Sequence, residues 1–132
     1  VLVSALLFSG SVPDKAVKMA LANGRLAFCD LTIGELKSVL NREKFEKYDP
    51  ERKRIANADK LIKSGLIFNI DNVTTNLKSR DNDDNIFLLL ALSSDASCLI
   101  SGDEDLLILN EINNIPILKA ADFMNHLNLL LK

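Results

Sequence analysis

Six of the 18 acidic residues crowd into two short turns: Asp81, Asp83 and Asp84 in "RDNDDN", and Asp103, Glu104 and Asp105 in "GDEDLL". Carboxylates set so close repel one another, which raises their pKa values unless a cation binds among them. A hard divalent ion with oxygen ligands suits such a group. Mg2+ needs only one or two carboxylates directly and keeps several waters, which leaves room for a phosphate oxygen and an activated water. That is the arrangement of metal-assisted phosphodiester hydrolysis. The plainer use of these residues is helix capping, by Asp103 ahead of "EDLLIL" and by Asp83 or Asp84 ahead of "IFLLLAL". Glu35, three residues after Thr32, reads in the same plain way as half of a capping box.

Other chemistries are poorly supplied. A single histidine, His126, makes a His-centred triad or a multi-His metal site improbable, and it reads as a surface or helix-end residue. Cys29 and Cys98 sit in apolar runs with neither a CxxC pair nor zinc spacing, as expected of buried structural thiols in a reducing cytosol. Neither GxGxxG nor GxxxxGK[ST] occurs, so Gly102 is a turn residue rather than part of a phosphate loop.

The elements that must hold the acids follow from pattern. Helices are expected over residues 1–9, apolar almost all round, and over "SVPDKAVKMALANG", with Pro13 in the first turn and Gly24 at the stop. Further helices are expected over "DLTIGELKSVLNREKFEKY", "PERKRIANADKLIKSG" and "IFLLLALSSDA". "GDEDLLILNEI" is expected to be a turn leading into another helix, and the amphipathic "KAADFMNHLNLLL" closes the chain with Phe123, Leu127, Leu130 and Leu131 on one face. Short apolar strands are expected at "RLAFCD", "LIFNI", "SCLIS" and "IPIL". Strands that alternate with helices and are apolar on both faces imply an α/β fold, a parallel three-layer α/β/α sandwich in one domain over residues 1–132. Ligands of such sheets bind beyond the carboxyl ends of the strands, which would let Asp84 and Asp103 face one crevice.

Charge is unevenly spread although the net charge is only -2. Lys37 to Lys63 carry nine Lys/Arg against five Asp/Glu, and Asp81 to Lys132 carry nine acids against two bases. Two solvated faces of opposite sign, or a polyanion on the first and a cation on the second, both fit this. No run approaches the roughly 20 apolar residues that span a bilayer, and "VLVSALLF" lacks the basic lead-in of a signal peptide.

Taken in order, these segments resemble the PIN-domain family, in particular its branch of toxins from bacterial and archaeal toxin–antitoxin systems. "GELKSVLNREKFEKY" is similar to that branch's segment carrying a second acid, which falls on Glu35. "RDNDDNIFLLLAL" and "ISGDEDLLIL" resemble the segments carrying the third and fourth, at Asp84 and Asp103, with Asp105 as an auxiliary; "IPILKAADFMNHL" resembles the closing strand and helix. The resemblance implies a mainly parallel five-stranded sheet between helices. It implies a cytoplasmic endoribonuclease in which Glu35, Asp84, Asp103 and Asp105 hold Mg2+ or Mn2+ for attack on RNA, and a homodimer neutralised by a small antitoxin protein. With RNA as partner, Arg42, Lys44, Lys47, Arg52, Lys53 and Arg54 are candidate phosphate contacts.

The family's first acid belongs to an Asp-Thr-Asn at the end of a first strand, and "VLVSALL" looks like the helix that follows it. The chain as given is therefore expected to be truncated before Val1 and to be weakly active or inactive. A catalytically impaired PIN-like module that binds RNA or protein is the alternative. A receiver-type doubly wound domain also gathers acids at strand ends, and Lys119 after "IPIL" matches it faintly, but no strand followed by a phosphorylatable Asp stands where that fold needs one.

Overall fold

The computed structural model describes residues 1–75 and 84–130; Asp81, Asp83 and Leu131 lie outside them. The chain forms two compact units, Val1–Ile67 and Phe68–Lys132.

The first unit opens with helices α1 (Leu2–Leu7) and α2 (Val12–Asn23). Ser11 caps α2 by accepting from the Asp14 N–H at 3.3 Å, with Pro13 in the first turn and Gly24 at the stop, as the pattern requires. Asp14 in turn accepts from the Gly10 N–H at 2.8 Å and from Lys18 Nζ at 3.0 Å. The Gly10 N–H, followed by Lys18, holds its carboxyl below the usual carboxylate range. Helix α1 is less enclosed than its composition suggests. Leu2, Val3 and Leu6 pack on a core of Phe28, Leu36, Leu40 and Ala58, whereas Phe8 is exposed.

Strand β1 (Ala27–Phe28) pairs in parallel with β2 (Leu66–Ile67), and the two are linked through helices α3 (Asp30–Leu40) and α4 (Lys53–Ser64). Gly65 enters β2 because nothing larger fits. A Cβ there would lie 2.6 Å from Phe28 Cε2 and 2.8 Å from the Leu26 carbonyl oxygen. The long helix expected after Asp30 stops at Leu40, and a 3-10 turn at Glu43–Phe45 replaces its second half. Its start also differs from expectation. Thr32 Oγ1 accepts from the Cys29 N–H and donates to the Cys29 carbonyl, both at 3.0 Å. The Thr32 hydroxyl therefore closes the cap, and Glu35 stands exposed one turn further along α3.

The second unit contains α5 (Asn85–Ser94), β3 (Leu99–Ile100), α6 (Glu104–Leu107), β4 (Glu111–Ile112), β5 (Ile115–Leu118) and α7 (Ala120–Leu130). No residue of α5 is exposed, consistent with a helix apolar on all sides. Leu88 and Ala91 pack with Leu106, Ile112, Ile115 and Ile117 in the core of this unit. Strand order is β3-β5-β4, with β3 parallel and β4 antiparallel to β5. The helix expected within "GDEDLLILNEI" ends at Leu107, and β4 with its hairpin takes the remainder. Asn110, left-handed at φ 64°, turns the chain out of the helix, and the Asn113-Asn114 pair closes the hairpin. Both residues have positive φ, 46° and 69°, as a two-residue type I′ turn between Ile112 and Ile115 requires. Pro116 is tolerated in β5 because the ladder skips it: it lies opposite Glu111, and the next N–H, of Ile117, donates to the Asn110 carbonyl at 2.8 Å.

The architecture is α/β, with its strands in one two-stranded and one three-stranded ladder among the described residues. No helix among them is long and apolar enough to cross a membrane. Both cysteines are free, and burial pushes the Cys98 thiol up. His126 is exposed on α7.

Candidate metal centre

Three carboxylates meet in the second unit. Asp84, Asp103 and Asp105 each present one oxygen, and these oxygens all lie within 4.8 Å of one another. Asp84 immediately precedes α5 and is buried, at 8% exposure; its carboxylate does not cap α5 in the way Asp103 caps α6. Asp103 is placed by the end of the parallel strand β3. After Ile100 the chain turns through Ser101 and Gly102, and the Asp103 N–H donates to Ser101 Oγ at 3.0 Å. Asp103 Oδ1 then accepts from the Asp105 N–H at 2.9 Å, which fixes both residues in the first turn of α6.

The capping and ligating uses of Asp103 are compatible. An ionised carboxylate has about four lone-pair directions, and the cap occupies one. The donor set consists of oxygen alone, with neither imidazole nor thiolate, and so favours a hard divalent ion over zinc. Metal–oxygen bonds of about 2.1 Å put two ligands at most about 4.2 Å apart. A spread of up to 4.8 Å therefore fits Mg2+ or Mn2+ with a closure of under about an ångström, or with one carboxylate held through water.

Glu35 is not part of this group; it belongs to the first unit and is exposed on α3. Glu104 lies in the first turn of α6, exposed and outside the three.

The basic candidates fall into two kinds. Arg42, Lys44 and Lys47 are exposed; Lys53 is exposed but 3.2 Å from Glu51 Oε2, and Arg52 is exposed but donates to Asn41 Oδ1 at 2.8 Å and lies 3.3 Å from Glu46 Oε1. Arg54 departs from the expected role. Its side chain is 0% exposed. Nε donates to the Leu40 carbonyl at 2.7 Å, Nη1 to the carbonyl and Oδ2 of Asp49 at 3.0 and 3.1 Å, and Nη2 to Glu46 Oε1 at 2.9 Å. A guanidinium satisfied in this way inside the chain has no face left for a phosphate. Burial alone would lower its pKa, but the Glu46 and Asp49 carboxylates more than offset this and raise it.

Asp49 completes the device. Its two oxygens accept from the Lys53 and Arg54 N–H groups at 3.0 and 2.8 Å, so it caps α4 from four residues upstream. The Arg54 N–H foremost holds the Asp49 carboxyl below its usual range. Reading the sequence found Arg54 as a charge but missed this anchor. The one signal was Asp49-Pro50 at the start of the expected helix, which begins only at Lys53.

No curated protein and no solved structure gives a significant match to the chain. Residues 1–105 match the family model described as a PIN domain.

Proposed function

The chain belongs to the PIN domain family, and on that premise we propose that it is a metal-dependent endoribonuclease, the toxin component of a toxin–antitoxin pair. PIN domains are in general nucleases that use divalent metal ions. The observation that carries the reading onto this chain is the Asp84–Asp103–Asp105 group, which lies within the matched residues and has the oxygen-only donor set of an Mg2+ or Mn2+ site. When bound, the ion supplies Lewis acidity toward the phosphodiester and toward water.

The chain's own residues have separate tasks. Asp84, largely shielded from solvent, and Asp103, fixed by its cap, supply the negative charge that places a cation. Asp105 holds its position through the same turn and adds a third carboxylate. Glu35 joins the catalytic acids on the resemblance of its segment. Arg42, Lys44, Lys47, Arg52 and Lys53 hold backbone phosphates, while Arg54 fixes the loop that carries them. A cytoplasmic homodimer and a small antitoxin partner complete the proposal, and a single five-stranded, mainly parallel sheet is its architectural counterpart.

The test is cleavage of a single-stranded RNA with Mn2+ or Mg2+ by the protein, by Asp84→Asn and by Asp103→Asn, beside the melting shift each shows with Mn2+. Weak cleavage and a metal-induced rise in melting temperature, both lost in the variants, are expected. If Asp84→Asn changes neither the metal response nor cleavage, the site assignment fails. RNA binding with a metal response but no cleavage would leave a binding module in place of the enzyme.

A further inference from the structure

The first unit exposes two aromatic rings side by side. Tyr48 is 53% exposed and Phe8 46%. Their ring centroids lie 5.6 Å apart with planes at 70°, an edge-to-face arrangement in which both residues stay exposed. Aromatic side chains in a stable monomer are ordinarily turned inward, because each forfeits about 2 kcal/mol or more of apolar burial when left outside. Two lysines of the same segment also lie over aromatic rings, one of them Tyr48. Lys47 Nζ sits 4.9 Å from the centroid of the Tyr48 ring, and Lys44 Nζ lies 5.2 Å from that of Phe45, both lysines being exposed.

We propose that the Tyr48–Phe8 pair is a stacking subsite for an unpaired nucleobase of single-stranded RNA, with Lys44 and Lys47 taking the flanking phosphates. The chemistry matches on both counts. Exposed rings offer a π-face that any base can cover, and the exposed Lys44 and Lys47 offer positive charge for the phosphates beside it. Lys47 now occupies one face of the ring as a cation–π partner. Its long exposed side chain is free to swing onto a phosphate when a base takes that face. The loop holding Tyr48 does not have to be ordered on binding, because the buried Arg54 already ties Glu46 and Asp49 on either side of it. A duplex, whose bases stack on one another, has no open face to offer. Protein docking is the competing use of such a patch, but Lys47 on the Tyr48 ring and Lys44 three positions before it, with Glu46 and Asp49 of the segment already paired to Arg54, favour a polyanion over an apolar partner.

The subsite deepens the ribonuclease reading and rests on RNA being the substrate, but its test needs no catalysis. The chain has no tryptophan and one tyrosine, so its intrinsic fluorescence is that of Tyr48. Titration of the full chain with a short oligouridylate, in chelator to suppress cleavage, should quench this emission saturably. A hairpin duplex of equal charge should leave it nearly unchanged. Tyr48→Leu and Phe8→Ala should weaken oligouridylate binding about 5- to 100-fold, while Tyr48→Phe, followed with labelled RNA, retains it. Binding without quenching, or equal quenching by the duplex, overturns the subsite. So does emission that shifts with protein concentration and not with RNA, which would mark a protein-docking face. Cleavage without quenching would sink the subsite alone, and quenching without cleavage in Mn2+ would sink the ribonuclease reading alone.

Discussion

At Asp84 a carboxylate is taken largely out of water with one oxygen within 4.8 Å of an oxygen from each of two others, and like charges so close repel. Asn has the same shape without the charge. In chelator, Asp84→Asn is expected to melt no lower than the parent. At a hundred times its dissociation constant Mn2+ should stabilise the parent by about 2.7 kcal/mol and the variant by much less. A variant that melts lower in chelator would show that the carboxylate is needed for folding. Arg54 represents the opposite case, a buried charge that is fully paired. Arg54→Ala takes the guanidinium from the Leu40 carbonyl and one partner each from Glu46 and Asp49, and should depress the melting temperature far more than Lys53→Ala on the exposed face of the same turn. Acid acts through the partner. The folded pKa of Asp49 lies below its ordinary value of 3.8, so its contribution is fully present above that pH and is lost as the pH falls through the folded value. Urea unfolding from pH 6 downward should therefore show a shallower loss of stability in Asp49→Asn than in the parent, from a lower starting point.

Among the elements, the two ends of the short strands depend on single residues. Gly65 admits β2 against Phe28 and the Leu26 carbonyl, the same carbonyl that accepts the Leu66 N–H at 2.9 Å. Gly65→Ala must push that backbone away and is expected to cost about 1–3 kcal/mol in chemical denaturation, with no change in the metal response of the second unit. Asn114, at φ 69°, holds one side of the β4–β5 hairpin. A side chain without local hydrogen-bonding capacity loses about 1–2 kcal/mol there, so Asn114→Ala should destabilise and Asn114→Gly should not. The approach to the hairpin also explains an expectation that failed. The helix expected within "GDEDLLILNEI" is ended early by the left-handed Asn110, φ 64°, ahead of the hairpin turn at Asn113-Asn114.

Across the whole molecule, the basic segment belongs to the first compact unit and the three aspartates to the second. If the exposed lysines meet phosphates, each one neutralised on a single strand contributes about 0.7 to the slope of log affinity against log salt. Replacing Lys44 and Lys47 together by Gln should therefore flatten that slope by about 1.4 for oligouridylate in chelator, with the Mn2+ melting shift unchanged. An unchanged slope would place the phosphate contacts elsewhere. By itself the sequence determined the alternation of helices and strands, the cap of α2, the buried helix α5 and the pairing of acids with turns, because periodicity and cap chemistry are local. It also carried the order of acidic segments that the family match spans. Only the tertiary structure decided which charges meet and which are consumed. Asp84 and Asp103 stand 19 positions apart in the sequence and come together only because α5 and the end of β3 bring them within one cluster. Arg54 looked like its basic neighbours until Leu40, Glu46 and Asp49 closed around it. Long-range pairing of this kind depends on how backbones pack, and a run of residue types does not record it.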